Sequence, residues 1–256
     1  MKLKPNLFTQ ALKEKRSQVG LWVSLSHHFS AEVIATSDFD WALLDMEHSP
    51  NSIDAVLGQM QAFAPSTTTA IVRPQWNDAV LVKRLLDIGA EGLLFPMIQS
   101  VEEAKSAVAS TRYPPHGIRG VSGSTRANAF GRITDYFSRV EEETTVLLQL
   151  ETRKALASAT EIASVDGVNG IFFGPADIAA DIGLLGNPMA DEVWETIMPV
   201  ARKLIDLGVP VGTLVLDANF AANLIKEGFT FVACGSDISL LSKGADKLVS
   251  DVRSAI

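Results

Sequence analysis

The chain reads as a single (β/α)8 TIM barrel over residues 1–256, with a helix leading into it. Three observations predict this. Short apolar runs alternate with stretches of helical periodicity eight times along the chain. The length of 256 residues matches the roughly 250 of such barrels. Several apolar runs stop abruptly at acids, bases or glycine, as strands do when their carboxyl ends build a site. A doubly wound open sheet is the alternative, weakened because the first strand–helix turn lacks a glycine-rich dinucleotide fingerprint.

Residues 6–16 place Leu7, Phe8 and Leu12 on one helical face, with Asn6 as cap. Residues 19–26 form the first strand, followed at once by His27 and His28, which as strand neighbours point to opposite faces. A short helix over 31–37 leads to the second strand, 39–45, and its charged end Asp45-Met46-Glu47-His48. Ser49-Pro50 opens the way to a helix over 52–63, with Ile53, Val56, Leu57 and Met60 at helical spacing. The third strand, 67–73, closes on Arg73, a cation that needs an anion or water beside it. Helix 77–88, stopped by Gly89, precedes strand 92–97 and helix 101–110. Residues 113–132 are irregular, rich in Gly and Pro, and carry Arg119, Arg126 and Arg132; a long insertion of this kind is often a functional loop.

Strand 145–150 carries Gln149 and ends at Glu151, followed by helix 155–162. Strand 170–173 ends in Gly174-Pro175-Ala176-Asp177, where Asp177 either caps a helix starting at Ile178 or serves a site. Helix 192–207, strand 209–214, helix 218–226, strand 229–234 and helix 238–253 complete the series.

The composition narrows the function. There are 22 basic against 30 acidic residues, net −8, and no long basic run, so nucleic acid and anionic membrane are excluded as partners. Cys234 is the only cysteine, which rules out an internal disulfide framework. No apolar run reaches transmembrane length and the N-terminus has no signal-peptide core, so a cytoplasmic protein is expected.

Brought to one face, the strand ends make a hard oxygen site. Glu151 and Asp177 are the candidate ligands, suited to Mg2+ or Mn2+ and not to structural zinc. The backbone N–H groups of Ala176 and Asp177 form a candidate anion nest for a substrate carboxylate. A divalent metal beside Arg73 would stabilise an enolate. His48 is the natural general base, because imidazole exchanges protons near neutrality. No lysine ends these strands, so a Schiff base is disfavoured.

The segments GLWVSLS, LLDMEHSP, VRPQWND, LLDIGAEGLLFPM, RYPPHGIRG, LQLETR and GPADIAADIG, in this order, resemble the metal-dependent class II pyruvate aldolases of the HpcH/HpaI family. The resemblance implies a barrel of the phosphoenolpyruvate/pyruvate type and reversible cleavage of a 4-hydroxy-2-oxo acid, such as 4-hydroxy-2-oxoheptanedioate, to pyruvate and an aldehyde through a metal-stabilised enolate. It also implies a place in aromatic catabolism and a homohexamer, often with the C-terminal helix packed on a partner. Carried across by motif, Glu151 and Asp177 hold Mg2+, Mn2+ or Co2+. His48 is the base, acting through a metal-bound water, and Arg73 stabilises the enolate. Gln149, Gly174, Pro175, Ala176 and Asp177 form the pyruvate-binding set. Asp87 matches an aspartate that raises the basicity of the histidine; because it closes a helix, it belongs on the far face of its own barrel, and a neighbouring subunit is expected to supply it. Asp45 and Glu47 are expected to partner metal-bound waters. Two stretches depart from the family pattern, residues 122–133 and His27-His28, and both are expected at the mouth, facing the aldehyde half. A 2-keto-3-deoxy sugar-acid aldolase, or a non-catalytic 2-oxo-acid-binding barrel, are the competing functions.

Overall fold

In the computed structural model, which describes residues 1–256, eight parallel strands close into a barrel in sequence order, β1 to β8, with β1 hydrogen-bonded to β8. The strands are β1 Gln18–Val23, β2 Trp41–Asp45, β3 Thr69–Arg73, β4 Gly92–Phe95, β5 Thr145–Leu150, β6 Gly170–Phe173, β7 Val211–Leu214 and β8 Phe231–Ser236. Every strand predicted from the sequence is present.

Side-chain alternation divides the core in two. Trp22, Leu43, Ile71, Leu147, Phe172 and Phe231 point inward and pack together inside the barrel. Their neighbours Leu21, Leu44, Val72, Leu148 and Phe173 point outward against the helices. The leading helix α1 (Leu7–Lys13) closes the amino end: Phe8 and Leu12 reach the inner cluster, and the Phe8 ring lies 5.6 Å from Trp41 and 5.7 Å from Phe231. Asn6 caps α1 as expected, and its amide donates to the carbonyls of Glu91 and Glu143, which ties the plug to the barrel rim.

The outer helices are α2 (His28–Ala35), α3 (Ile53–Phe63), α4 (Ala79–Asp87), α5 (Val101–Thr111), α6 (Tyr136–Glu143), α7 (Arg153–Ala157), α8 (Ala159–Ala163), α9 (Pro175–Asp181), α10 (Asp191–Asp206), α11 (Ala218–Lys226) and α12 (Asp237–Ser254). None is long and apolar enough to cross a membrane.

Three expectations are corrected, and one helix that the sequence did not suggest is added. β1 stops at Val23, so His27 and His28 do not end a strand: His27 caps α2, His28 begins it, and the two rings stack 4.3 Å apart. The helix expected over 155–162 is broken at Ser158 into α7 and α8. Residues 136–143 form α6, which the irregular surroundings concealed. Residues 113–132 do not line the mouth. They connect α5 to the amino end of β5, at the opposite end of the barrel. There Arg126 donates to the carbonyl of Ile88 at 2.6 Å, beside the start of β4. Residues 122–133 therefore cannot face an aldehyde in the mouth of their own barrel.

Candidate active site

The carboxyl ends of the strands carry polar groups on the inward-facing positions, directly above the apolar plug. Asp45 follows Leu43 by two residues, Arg73 follows Ile71 by two, and Gln149 and Glu151 follow Leu147, so each lies on the inner face. Register places Asp45 opposite Arg73. The Arg73 Nε and Nη2 donate to the two carboxylate oxygens of Asp45, both at 2.8 Å, a forked pair that fixes the guanidinium plane. Nη1 lies 2.7 Å from Glu47 Oε2. The Trp22 ring covers the guanidinium carbon at 4.9 Å, and its Nε1–H donates to Asp45 at 3.3 Å. Burial alone would raise the Asp45 carboxyl, but the hydrogen bonds and charge of Arg73 outweigh it and hold it below the usual carboxylate value.

These contacts change the task expected of Asp45. Both its oxygens are spent on Arg73, Trp22 and the Glu47 backbone N–H, so it orients the guanidinium and leaves little for metal-bound water. Of the five N–H groups of Arg73, three are engaged by Asp45 and Glu47, which leaves two for a ligand.

Glu151 is the second centre. It is 2% exposed. Its Oε2 accepts the backbone N–H of Met97 at 2.8 Å, and its Oε1 accepts the amide of Gln149. Met97 holds a left-handed backbone, φ 53°, which turns that N–H toward the carboxylate. Gly174 is required here for space: a Cβ added to it would lie 2.7 Å from Glu151 Oε1. Burial, then the negative charges of Asp177 and Glu47, push the Glu151 carboxyl up to about 8. Burial likewise raises Glu47, against the opposing charges of Arg73 and His48. Gln149 Oε1 is buried with no partner.

Asp177 sits in the first turn of α9 and is exposed. Helix α9 begins with Pro175 at its first position and has no side-chain cap, so its first-turn N–H groups point out of the helix without a side-chain partner. His48 is 69% exposed at the rim, with Nε2 3.8 Å from Glu47 Oε2. Asp87 stands apart from all of these. It closes α4 at the far end of the barrel, where Arg119 donates to it at 2.8 Å.

Sequence reasoning therefore located Asp45, Glu47, His48, Arg73, Gln149, Glu151, Gly174 and Asp177 on one face. It missed Trp22 and the backbone of Met97. Trp22 had a usable signal, since it shares the inner face at the carboxyl end of β1. The positive φ of Met97 leaves no mark on the sequence.

A family model described as "HpcH/HpaI aldolase/citrate lyase" matches residues 18–244. A pyruvate aldolase of Rhizobium etli is 48% identical over 250 residues, covering 98% of each chain. A 4-hydroxy-2-oxo-heptane-1,7-dioate aldolase of Salmonella paratyphi B is 46% identical, over 96% of this chain and 94% of that one. The crystal structure of a family protein from Burkholderia cenocepacia superposes with a TM-score of 0.93 at 34% identity, over 97% of this chain and 99% of that one. The chain belongs to the HpcH/HpaI aldolase/citrate lyase family.

Proposed function

We propose that this chain is a metal-dependent pyruvate aldolase, cleaving a 4-hydroxy-2-oxo acid such as 4-hydroxy-2-oxoheptanedioate reversibly to pyruvate and an aldehyde. The observation that carries this reading is the juxtaposition of a buried, electrostatically unfavourable carboxylate set with a guanidinium held rigid beside it.

Glu151 and Asp177 would hold the metal. Their oxygen donors suit Mg2+, Mn2+ or Co2+. The local chemistry fits: Glu151 is buried and pairs with no cation, the charges of Asp177 and Glu47 both push its carboxyl up, the one guanidinium nearby is spent on Asp45 and Glu47, and Gln149 Oε1 is buried with no partner. A bound divalent cation would supply a Lewis acid that polarises the 2-oxo group of the substrate.

The chain's own residues do the rest. Arg73, with two N–H groups still available, stabilises negative charge on the substrate oxygen, and Asp45 and Trp22 stop it from swinging away. Gln149, Gly174, Pro175, Ala176 and Asp177 receive the pyruvate half, its carboxylate meeting the uncapped start of α9. His48, exposed at the rim, takes the proton of the C4 hydroxyl in cleavage and returns it in condensation. Asp87 serves the histidine of a second copy, since its own lies at the other end of the barrel.

A homo-oligomer, with the hexamer as the family's usual form, fits α12. Ile238, Leu241, Leu248 and Val252, with Ala245 between them, recur at alternating steps of three and four, and all are exposed. That spacing is the seam of one helix packing on another. The single, half-buried cysteine fits a reducing compartment such as the cytoplasm.

The decisive experiment is exchange of the pyruvate C3 protons with solvent. Exchange is expected with Mn2+ or Mg2+, lost on chelation and restored by metal. Exchange that survives both chelation and the pair of substitutions Glu151→Gln and Asp177→Asn would overturn the site, and its absence under every condition would make the barrel a binding protein.

A further inference from the structure

Between β1 and α2 runs a four-residue loop, Ser24–His27, at the carboxyl end of the barrel where the mouth opens. Only two hydrogen bonds tie this loop to any other part of the molecule. Ser24 N–H donates to Asp237 Oδ1 at 2.9 Å, and Leu25 N–H donates to Asp237 Oδ2 at 3.0 Å. The loop's remaining hydrogen bonds are local, from Ser26 to the Ser24 carbonyl and from the first turn of α2 to His27.

Asp237 is 4% exposed and forms no salt bridge. A buried carboxylate without a counter-ion is tolerated only where N–H groups satisfy it. Here the donors are the two loop amides and Ile238 of its own helix, at 2.8 Å. The helix does not need Asp237 as a cap: Ser236 and Ser239 cap α12 reciprocally. The distinctive work of this carboxylate is thus the loop. The loop also needs holding, because Ser26 adopts φ 57°, a conformation that costs a non-glycine residue energy.

Trp22, two residues upstream, is anchored separately by Asp45 and Arg73. Freeing the loop would therefore leave the pyruvate-activating groups in place. What it would disturb is the rim, with exposed Leu25 and His27. If pyruvate occupies the inner part of the mouth, the part of the substrate that reaches the rim is the aldehyde half.

We propose that Asp237 is a positioning residue that fixes Ser24–His27 as one wall of the acceptor half-site, setting how the aldehyde is held and not how pyruvate is activated. The acceptor assignment rests on the aldolase reading above, so the test separates the two.

The full chain would be compared with D237A and D237N, the second keeping one acceptor oxygen if the first folds poorly. Amide hydrogen exchange at Ser24 and Leu25 should accelerate in D237A, and mainly at Leu25 in D237N. In aldol addition of pyruvate to propanal, the KM for propanal should rise about 10-fold or more in D237A, which removes both loop hydrogen bonds to the carboxylate, with D237N, which keeps one, between. Pyruvate C3 exchange should stay within about two-fold, since an acceptor-side defect leaves the earlier step intact. Unchanged amide exchange would overturn the clamp. A freed loop with unchanged propanal KM, or an equal fall in addition and C3 exchange, would overturn the acceptor role. If the wild type exchanged no pyruvate protons, the aldolase reading and the acceptor role would fall together, while the amide measurement would still decide the clamp.

Discussion

Arg73 is the residue whose geometry constrains the chemistry most. Its plane is fixed on three sides, by the forked Asp45 pair, by Glu47 and by the Trp22 ring. Lysine would keep the charge but could not grip both Asp45 oxygens and a substrate oxygen together. Arg73→Lys should lower kcat by about 10²-fold, the scale of one lost oxyanion donor, with pyruvate C3 exchange falling in parallel. A raised KM with unchanged exchange would recast it as a binding group. Gly174→Ala is the matching test of Glu151. Its Cβ would press on the carboxylate at 2.7 Å, and the flexible glutamate would have to turn aside. Metal affinity should fall while the fold persists, readable by calorimetric titration with Mn2+. Glu151 also sets a pH dependence. Its folded value of about 8 lies above the ordinary carboxyl value of 4.5, so its contribution to stability is fully present below about 4.5 and lost as pH rises through 8. Metal-free protein should therefore lose melting temperature across that window relative to Glu151→Gln. Added Mn2+ should restore more at pH 8 than at pH 6, because binding requires the carboxylate.

At the scale of elements, strands were the most legible part of the chain. Each is a short, mostly buried and mostly apolar run, and its polar residues fall chiefly at its ends, as Asp45, Arg73 and Gln149 do. The ends were less certain, as β1 shows: Ser24-Leu25-Ser26 continues the period-two alternation of a strand, but the Asp237 carboxylate captures the amides of Ser24 and Leu25 that a ladder would use. Helix α9 starts earlier than the sequence suggested: Gly174-Pro175 read as a turn before a helix from Ile178, but Pro175 is already helical, which puts Asp177 in the first turn and not at the cap. The irregular segment misled for a different reason. Its arginines resemble an anion site in sequence, yet Arg119 is buried against Asp87 and the Tyr113 ring, and Arg126 is spent on a carbonyl. Nothing local distinguishes a structural arginine from a functional one; only the partner does. Helix α12 carries its own test. Leu241→Glu together with Leu248→Glu would place charge on its exposed apolar seam, which is expected to shift the sedimentation coefficient toward that of a smaller species. An unchanged coefficient would mean that the seam is not a contact between copies.

For the molecule as a whole, barrel closure turns eight separate strand ends into one surface, and that is why a site scattered over residues 45–177 could be assembled from sequence spacing. What spacing could not supply was the third coordinate, such as the Trp22 ring lying on Arg73. The same closure gives the barrel two ends, and His48 and Asp87 stand on different ones. If the two act as a pair, the reactive unit is assembled from two chains and its abundance follows mass action. Turnover per subunit should then be constant at high protein concentration and decline on dilution below the dissociation constant of the assembly. In a plot of initial rate against enzyme concentration, the slope would steepen from the dilute end, where a self-sufficient barrel would give a straight line.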